Sequence, residues 1–144
     1  MAKTAFICTA RHINHVGIAV RDIEITLAFY DRIFGAGSKE IESIEDQGIR
    51  AALIRIGGSQ LEFIQPTDPD NSVARFINRR GEGLHHLCFE VEDLGEKLKL
   101  LDEEGIELID RTPREGLTGA IAFLHPKSTG GTLIELVDQD TAKR

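Results

Sequence analysis

"INHVGIAVRDIEITLAFYDRIFG" (residues 13–35) and "LHHLCFEVEDLGEKLKLLDEEG" (residues 84–105) are two renderings of one pattern. Each opens apolar, polar, His, apolar. Each reaches a valine and, two residues on, an aspartate: Val20 and Asp22, then Val91 and Asp93. Each then turns helical and stops at a glycine. The sequence after each helix matches as well. "ALIRIGGSQLEFIQP" (52–66) and "AFLHPKSTGGTLIELVD" (122–138) both read as a strand, a glycine-bearing turn, and a strand centred on apolar-Glu-apolar. His15 and His86 are 71 positions apart, and Glu62 and Glu135 are 73 apart. A near-constant offset at two separate landmarks marks an internal duplication.

Each copy predicts the order βαβββ, so the fold class is α+β, with paired βαβββ modules whose curved sheet forms a cleft. The chain is read as a single domain over residues 1–144, with module one at about 12–66, a connector at 67–83 and module two at about 84–138. In module one a strand covers His12 to Val20, and Asp22 can cap the following helix through its carboxylate. Ile25, Leu27, Ala28, Phe29 and Phe34 supply that helix's apolar stripe, and Gly35 or Gly37 ends it. Strands follow at Ser38–Glu45, Ile49–Ile56 and Gln60–Gln65, with Gly57 and Gly58 as a hairpin turn. Module two repeats this with a strand Leu84–Val91, a helix Leu94–Glu104, and strands Ile106–Ile109, Gly119–Leu124 and Thr132–Val137. In the connector, "SVARFINRR" predicts a short helix capped by Ser72.

Composition narrows the function class. The 144 residues carry a formal net charge of −7 with 41% hydrophobic residues. No basic stripe with interleaved aromatics is present, which argues against nucleic-acid binding. "MAKTAFICTARH" has too short an apolar run for a signal peptide, and no stretch approaches a membrane span. Cys8 and Cys88 lack a metal-type spacing, and Cys88 reads as a buried thiol. The expectation is a cytoplasmic protein with reduced cysteines.

Histidine and glutamate occupy equivalent places in both copies. Strand alternation puts His15, Gly17 and Ala19 on one face, and His86, Cys88 and Glu90 on one face. In "TLIELV", Glu135 faces away from Ile134 and Leu136. The helices must cover the more apolar faces, so His15, Glu62, His86 and Glu135 line the opposite one. A lone strand histidine is usually satisfied or exposed, and a lone strand glutamate usually solvated. Two of each in duplicated positions point instead to a metal site. Two imidazoles and two carboxylates suit Co²⁺, Mn²⁺, Ni²⁺, Zn²⁺ or Fe²⁺. His85 aligns with Asn14 and is left to packing. His12 lies on the other face from His15, and His125 sits at a turn, as a structural residue or at the substrate entrance.

"HVGIAV", "FYDRIFG", "PTDPDNSVARFI", "RGEGLHHLCFEV" and "FLHPKSTGGTLIEL" together resemble the methylmalonyl-CoA epimerase family of the vicinal oxygen chelate superfamily, from Ile13 to about Val137. The resemblance implies a metal held by His15, Glu62, His86 and Glu135, with relatives able to carry Gln at the position of Glu62. It implies interconversion of (2R)- and (2S)-methylmalonyl-CoA by proton transfer at C2, and a homodimer. The proton at C2 lies between a thioester and a carboxylate, and its removal gives an enolate that a Lewis acid stabilises. Glu135 is the first acid/base expected. A second, for the opposite face, falls to Glu45, to its neighbour Asp46 or to a metal-bound water, since Ala51 and Ala52 stand where some relatives place a carboxylate. Lys127 and Arg114 are candidates to meet the acyl-CoA substrate. Arg111, Arg75, Arg79 and Arg80 are further basic groups. A glyoxalase I-type lactoylglutathione lyase and a metal-free binding module of the same fold are the alternatives. Four ligand-type residues argue against the binding module. They also argue against an extradiol dioxygenase, for which two His and one Glu are expected.

Overall fold

Alternation of apolar and small or polar residues makes each strand two-faced, and one helix per module closes the apolar face. The computed structural model describes residues 6–37 and 39–140. The strand expected from Ser38 therefore begins at a residue outside the described ones, as do Met1–Ala5 of the N-terminal stretch. The elements are β1 His12–Ala19, α1 Ile23–Phe34, β2 Glu42–Ile44, β3 Ile49–Ile56, β4 Ser59–Pro66, α2 Ser72–Arg80, β5 Gly83–Glu90, α3 Leu94–Glu103, β6 Arg114–Glu115, β7 Ala120–Leu124 and β8 Ile134–Asp138. Short 3₁₀ turns occupy Glu45–Gln47 and Pro126–Ser128. The architecture is α+β, built of paired βαβββ modules.

The chain divides into two compact units, His15–His86 and the remainder. In the first, the strand order is β2-β3-β4-β1, with β4 parallel to β1 and the other pairs antiparallel. Val20, Ile23, Leu27, Ala52, Ile54 and Phe63 form its core, and Phe63 and Ile23 are fully buried. In the second, the order is β6-β7-β8-β5, with β8 parallel to β5 and the rest antiparallel. Val91, Leu94, Leu98, Leu101, Ala122, Leu124, Ile134 and Leu136 form its core. The orders are the same once the modules are superposed in sequence. The register repeats too: Gly17 pairs with Glu62, and Cys88 with Glu135. Each partner lies two residues after the histidine of its strand.

Helix starts repeat in the same way. The first amide of α1, on Ile23, donates to Gln65 Oε1 at 2.9 Å, and that of α3, on Leu94, donates to Asp138 Oδ2 at 3.3 Å. The end of each module's last strand thus supplies an acceptor to its own helix. Asp22 caps α1 as expected, accepting from Ile25 N at 3.0 Å. Gly35 ends that helix in the left-handed conformation that glycine favours, at φ 65°. Asp93 makes no such cap bond, and its φ is 54°.

Several expectations are corrected. α1 buries Ile23 and Leu27, whereas Ile25, Phe29 and Phe34 are exposed. The buried stripe shares Leu27 with the expected one but runs through Ile23, Leu27 and Tyr30, since apolar residues lie around much of the helix circumference. Asn71, not Ser72, caps α2, accepting from Ala74 N at 2.8 Å. The strand expected at Ile106–Ile109 is reduced to a bridge between Leu108 and Leu124. Two backbone bonds remain, Ile109 N to Phe123 O and His125 N to Glu107 O, both at 2.9 Å, while side chains take others: Glu107 N donates to Ser128 Oγ at 2.8 Å, and Phe123 N to Asp110 Oδ2 at 2.8 Å. The edge strand of this module, the first after its helix, falls instead at β6. The N-terminal segment, unassigned from sequence, packs Ile7 and Cys8 on the α3 core. Arg11 N donates to Glu90 O at 2.9 Å, and the Arg11 guanidinium pairs with Glu92. Burial pushes the Cys8 thiol up from its ordinary pKa, with Lys97 nearby opposing the shift. Among the described residues no helix is long and apolar enough to cross a membrane.

Candidate metal centre

The face of the first unit that the helix leaves uncovered carries the chemistry. On β4, Glu62 points away from Leu61 and Phe63, which pack on the α1 core. Its neighbour across β3 is Leu53, and across β1 it is Gly17. His15, two residues before Gly17, shares that face. His86, near the start of β5, brings a second imidazole to the same point. His15 is 5% exposed, Glu62 7% and His86 5%.

The donor atoms converge. His15 Nε2 and His86 Nε2 are 3.1 Å apart, with their rings at 85°. Glu62 Oε1 is 3.7 Å from the first and 3.5 Å from the second. A first-row divalent cation held at roughly 2.0–2.2 Å from N and O ligands sets adjacent donors about 3 Å apart or slightly more. The three atoms already stand at that spacing. A carboxylate this buried also calls for a compensating positive charge. Two imidazoles and a carboxylate oxygen are a borderline-hard donor set. The residues present therefore fit a divalent cation.

Gly17 makes the arrangement possible. A Cβ built on it overlaps the Cε1, Nδ1 and Nε2 atoms of His86. The His86 ring thus lies directly against the bare backbone of β1. Strand alternation places Gly17 on the His15 face but cannot show its role, which lies in its contact with the His86 ring. His85, expected to pack, does so and also meets the ring of His86. Its Nδ1 lies 2.8 Å from His86 Nδ1, and Phe76 of α2 packs edge-on against its ring at 4.8 Å.

Glu135 lies on β8 in the second unit, 4% exposed, with Cys88 and Phe123 as its cross-strand partners. Its register matches that of Glu62. Glu45 and Asp46 are exposed in the 3₁₀ turn after β2. Ala51 and Ala52 are buried in β3, and Ala51 shares the Glu62 face with Leu53. Arg114 Nε lies 3.2 Å from Asp110 Oδ1, and its guanidinium lies over the Phe123 ring. Lys127 is exposed, 4.0 Å from Glu107. Those two cations stand in the second unit. His12 is exposed, 3.9 Å from the buried Glu90. His125 caps the Pro126–Ser128 turn, its Nδ1 accepting from Lys127 N at 3.0 Å, and so is structural.

Comparison with known proteins places this geometry. Residues 14–123 match the model of the Glyoxalase/Bleomycin resistance protein/Dioxygenase superfamily. The chain is 38% identical over 127 residues to "Uncharacterized protein YqjC" of Bacillus subtilis, covering 88% of this chain and 91% of that one. It is 33% identical over 126 residues to the mitochondrial methylmalonyl-CoA epimerase of Homo sapiens, covering 86% of this chain and 72% of that one. A variant of the Streptomyces coelicolor methylmalonyl-CoA epimerase, solved with 2-nitronate-propionyl-CoA, superposes with a TM-score of 0.85 at 34% identity, covering 90% of this chain and 95% of that one. With the duplicated βαβββ module and the buried His/Glu group on the same chain, this protein belongs to the Glyoxalase/Bleomycin resistance protein/Dioxygenase superfamily, in its methylmalonyl-CoA epimerase family.

Proposed function

We propose that the protein is a metal-dependent methylmalonyl-CoA epimerase, interconverting the (2R) and (2S) forms by proton transfer at C2. The observation that carries this reading is the buried convergence of His15, Glu62 and His86. It is supported by relatives named as epimerases at about one-third identity and by a solved relative bound to an acyl-CoA analogue.

We assign the cation to His15, Glu62, His86 and Glu135, the last by its register equivalence to Glu62. When bound, it supplies Lewis acidity for the charge that develops as the C2 proton leaves. Co²⁺ is the preferred ion, with Mn²⁺, Ni²⁺, Zn²⁺ and Fe²⁺ also compatible with the donors. Glu135 takes the C2 proton from one face of the substrate, C2 is reprotonated from the opposite face, and in the reverse direction Glu135 gives the proton. Glu45 is assigned the opposite face, since the buried Ala51 on the Glu62 face of β3 has no proton to move. Leu53 is the cross-strand neighbour of Glu62, and burial of the Glu62 carboxylate strengthens its interactions. Lys127 and Arg114 are assigned to the anionic groups of the acyl-CoA.

The test is proton NMR of methylmalonyl-CoA with the protein in D₂O. The expected result is loss of the C2–H signal with no consumption of the thioester. No exchange, together with turnover of the methylglyoxal–glutathione adduct, would move the activity to a glyoxalase. Glu45→Gln is expected to slow epimerisation by roughly 10²- to 10⁴-fold, the usual range for a lost acid/base group. An unchanged rate would remove Glu45 from the mechanism.

A further inference from the structure

We propose that His85 is a positioning residue that fixes the tautomer of His86, so that His86 presents the Nε2 lone pair to the cation. The proposal rests on the reading of His86 as a metal ligand.

Neighbouring strand residues ordinarily point to opposite faces. At the start of β5 they do not diverge. The His85 and His86 ring centroids lie 5.1 Å apart, with the planes at 88°, and the two Nδ1 atoms are 2.8 Å apart. That is a normal hydrogen-bond distance between ring nitrogens, so one nitrogen donates and the other accepts. The direction follows from the far side of the His86 ring. There Nε2 faces His15 Nε2 and Glu62 Oε1. For Nε2 to offer a lone pair, the ring proton must sit on Nδ1. His86 Nδ1–H then donates, and His85 Nδ1 accepts. Metal-bound histidines commonly use their second nitrogen in this way, which orients the ring and raises its basicity.

His85 is itself held. Phe76 of α2 meets its ring edge-on at 4.8 Å, and Arg80 lies over the Phe76 ring at 5.8 Å. The His86 ring is thus confined by His85 on one side and by the bare Gly17 on another. Helix α2, with its half-buried Phe76, thereby has a task at the site although it supplies none of the proposed ligands.

The experiment combines two readouts on the full chain. Long-range ¹H–¹⁵N NMR of the metal-free protein reads the His86 tautomer without any cation. Co²⁺ titration, followed by its visible absorption, reads affinity. Wild-type protein is expected to show His86 as the Nδ1–H form and to bind Co²⁺. His85→Ala is expected to lose the tautomer preference and to bind Co²⁺ roughly 10- to 100-fold more weakly. His85→Asn, whose amide oxygen can accept the same bond, is expected to recover most of that loss, which a merely structural role would not do. Circular dichroism confirms that both variants fold. An Nε2–H form in the wild type, or a folded His85→Ala with unchanged affinity, overturns the proposal. Wild-type protein that binds no Co²⁺ but shows the Nδ1–H form overturns the metal reading instead.

Discussion

Gly17 and His86 show how one missing side chain decides a site. A methyl group on Gly17 has nowhere to go except into the His86 ring, so Gly17→Ala must turn the imidazole away from His15 and Glu62. The expected result is a folded protein whose Co²⁺ affinity falls by roughly tenfold or more, read by titration beside circular dichroism. Unchanged affinity would show that the ring finds another route to the same point. The identities of His15, Glu62 and His86 were legible in the sequence because the duplication set them apart from ordinary strand residues. Gly17 and His85 were not. Both act through contacts with a single ring on another strand or on a neighbouring residue, and periodicity carries no record of such contacts.

At the scale of the element, strand faces read cleanly and helix faces less so. A strand offers two choices, and the Leu61/Phe63 side of β4 is plainly more apolar than the Glu62 side. A helix offers a continuous one, and α1 carries apolar residues around much of its circumference, so Ile25, Phe29 and Ile33 remain exposed while Ile23 and Leu27 are buried. The cap of α2 was misjudged for a similar reason, since Asn71 and Ser72 are both good capping residues. Their roles separate by mutation. Asn71→Ala removes the bond to Ala74 N and is expected to cost about 1 kcal/mol. Ser72→Ala, at the first helical residue, is expected to change stability by less than about 0.5 kcal/mol, as a surface change. Urea denaturation of both variants reads the difference, and a larger loss for Ser72→Ala would contradict the cap assignment. The expected strand at 106–109 failed on tertiary grounds. Ser128 and Asp110 take hydrogen bonds that a ladder would otherwise use.

At the scale of the whole molecule, the same module is written twice and then put to unequal use. The strand orders, the Gly17–Glu62 and Cys88–Glu135 registers, and the Gln65 and Asp138 helix acceptors all repeat. That repetition is why the fold class could be read from two aligned stretches. What differs between the copies is informative. Gly17 is bare and covered by the His86 ring where its counterpart Cys88 carries a buried side chain, and His85 stands beside its histidine where Asn14 stands beside the other. On the function proposed, proton transfer at C2 depends on a cation held by His15, Glu62, His86 and Glu135. The most direct test is the rate of C2 deuterium exchange in methylmalonyl-CoA, followed as Co²⁺ is returned to chelator-treated protein. Exchange is expected at background without metal, rising in proportion to added Co²⁺ and levelling at one ion per chain. Full exchange by the metal-free protein would contradict that dependence.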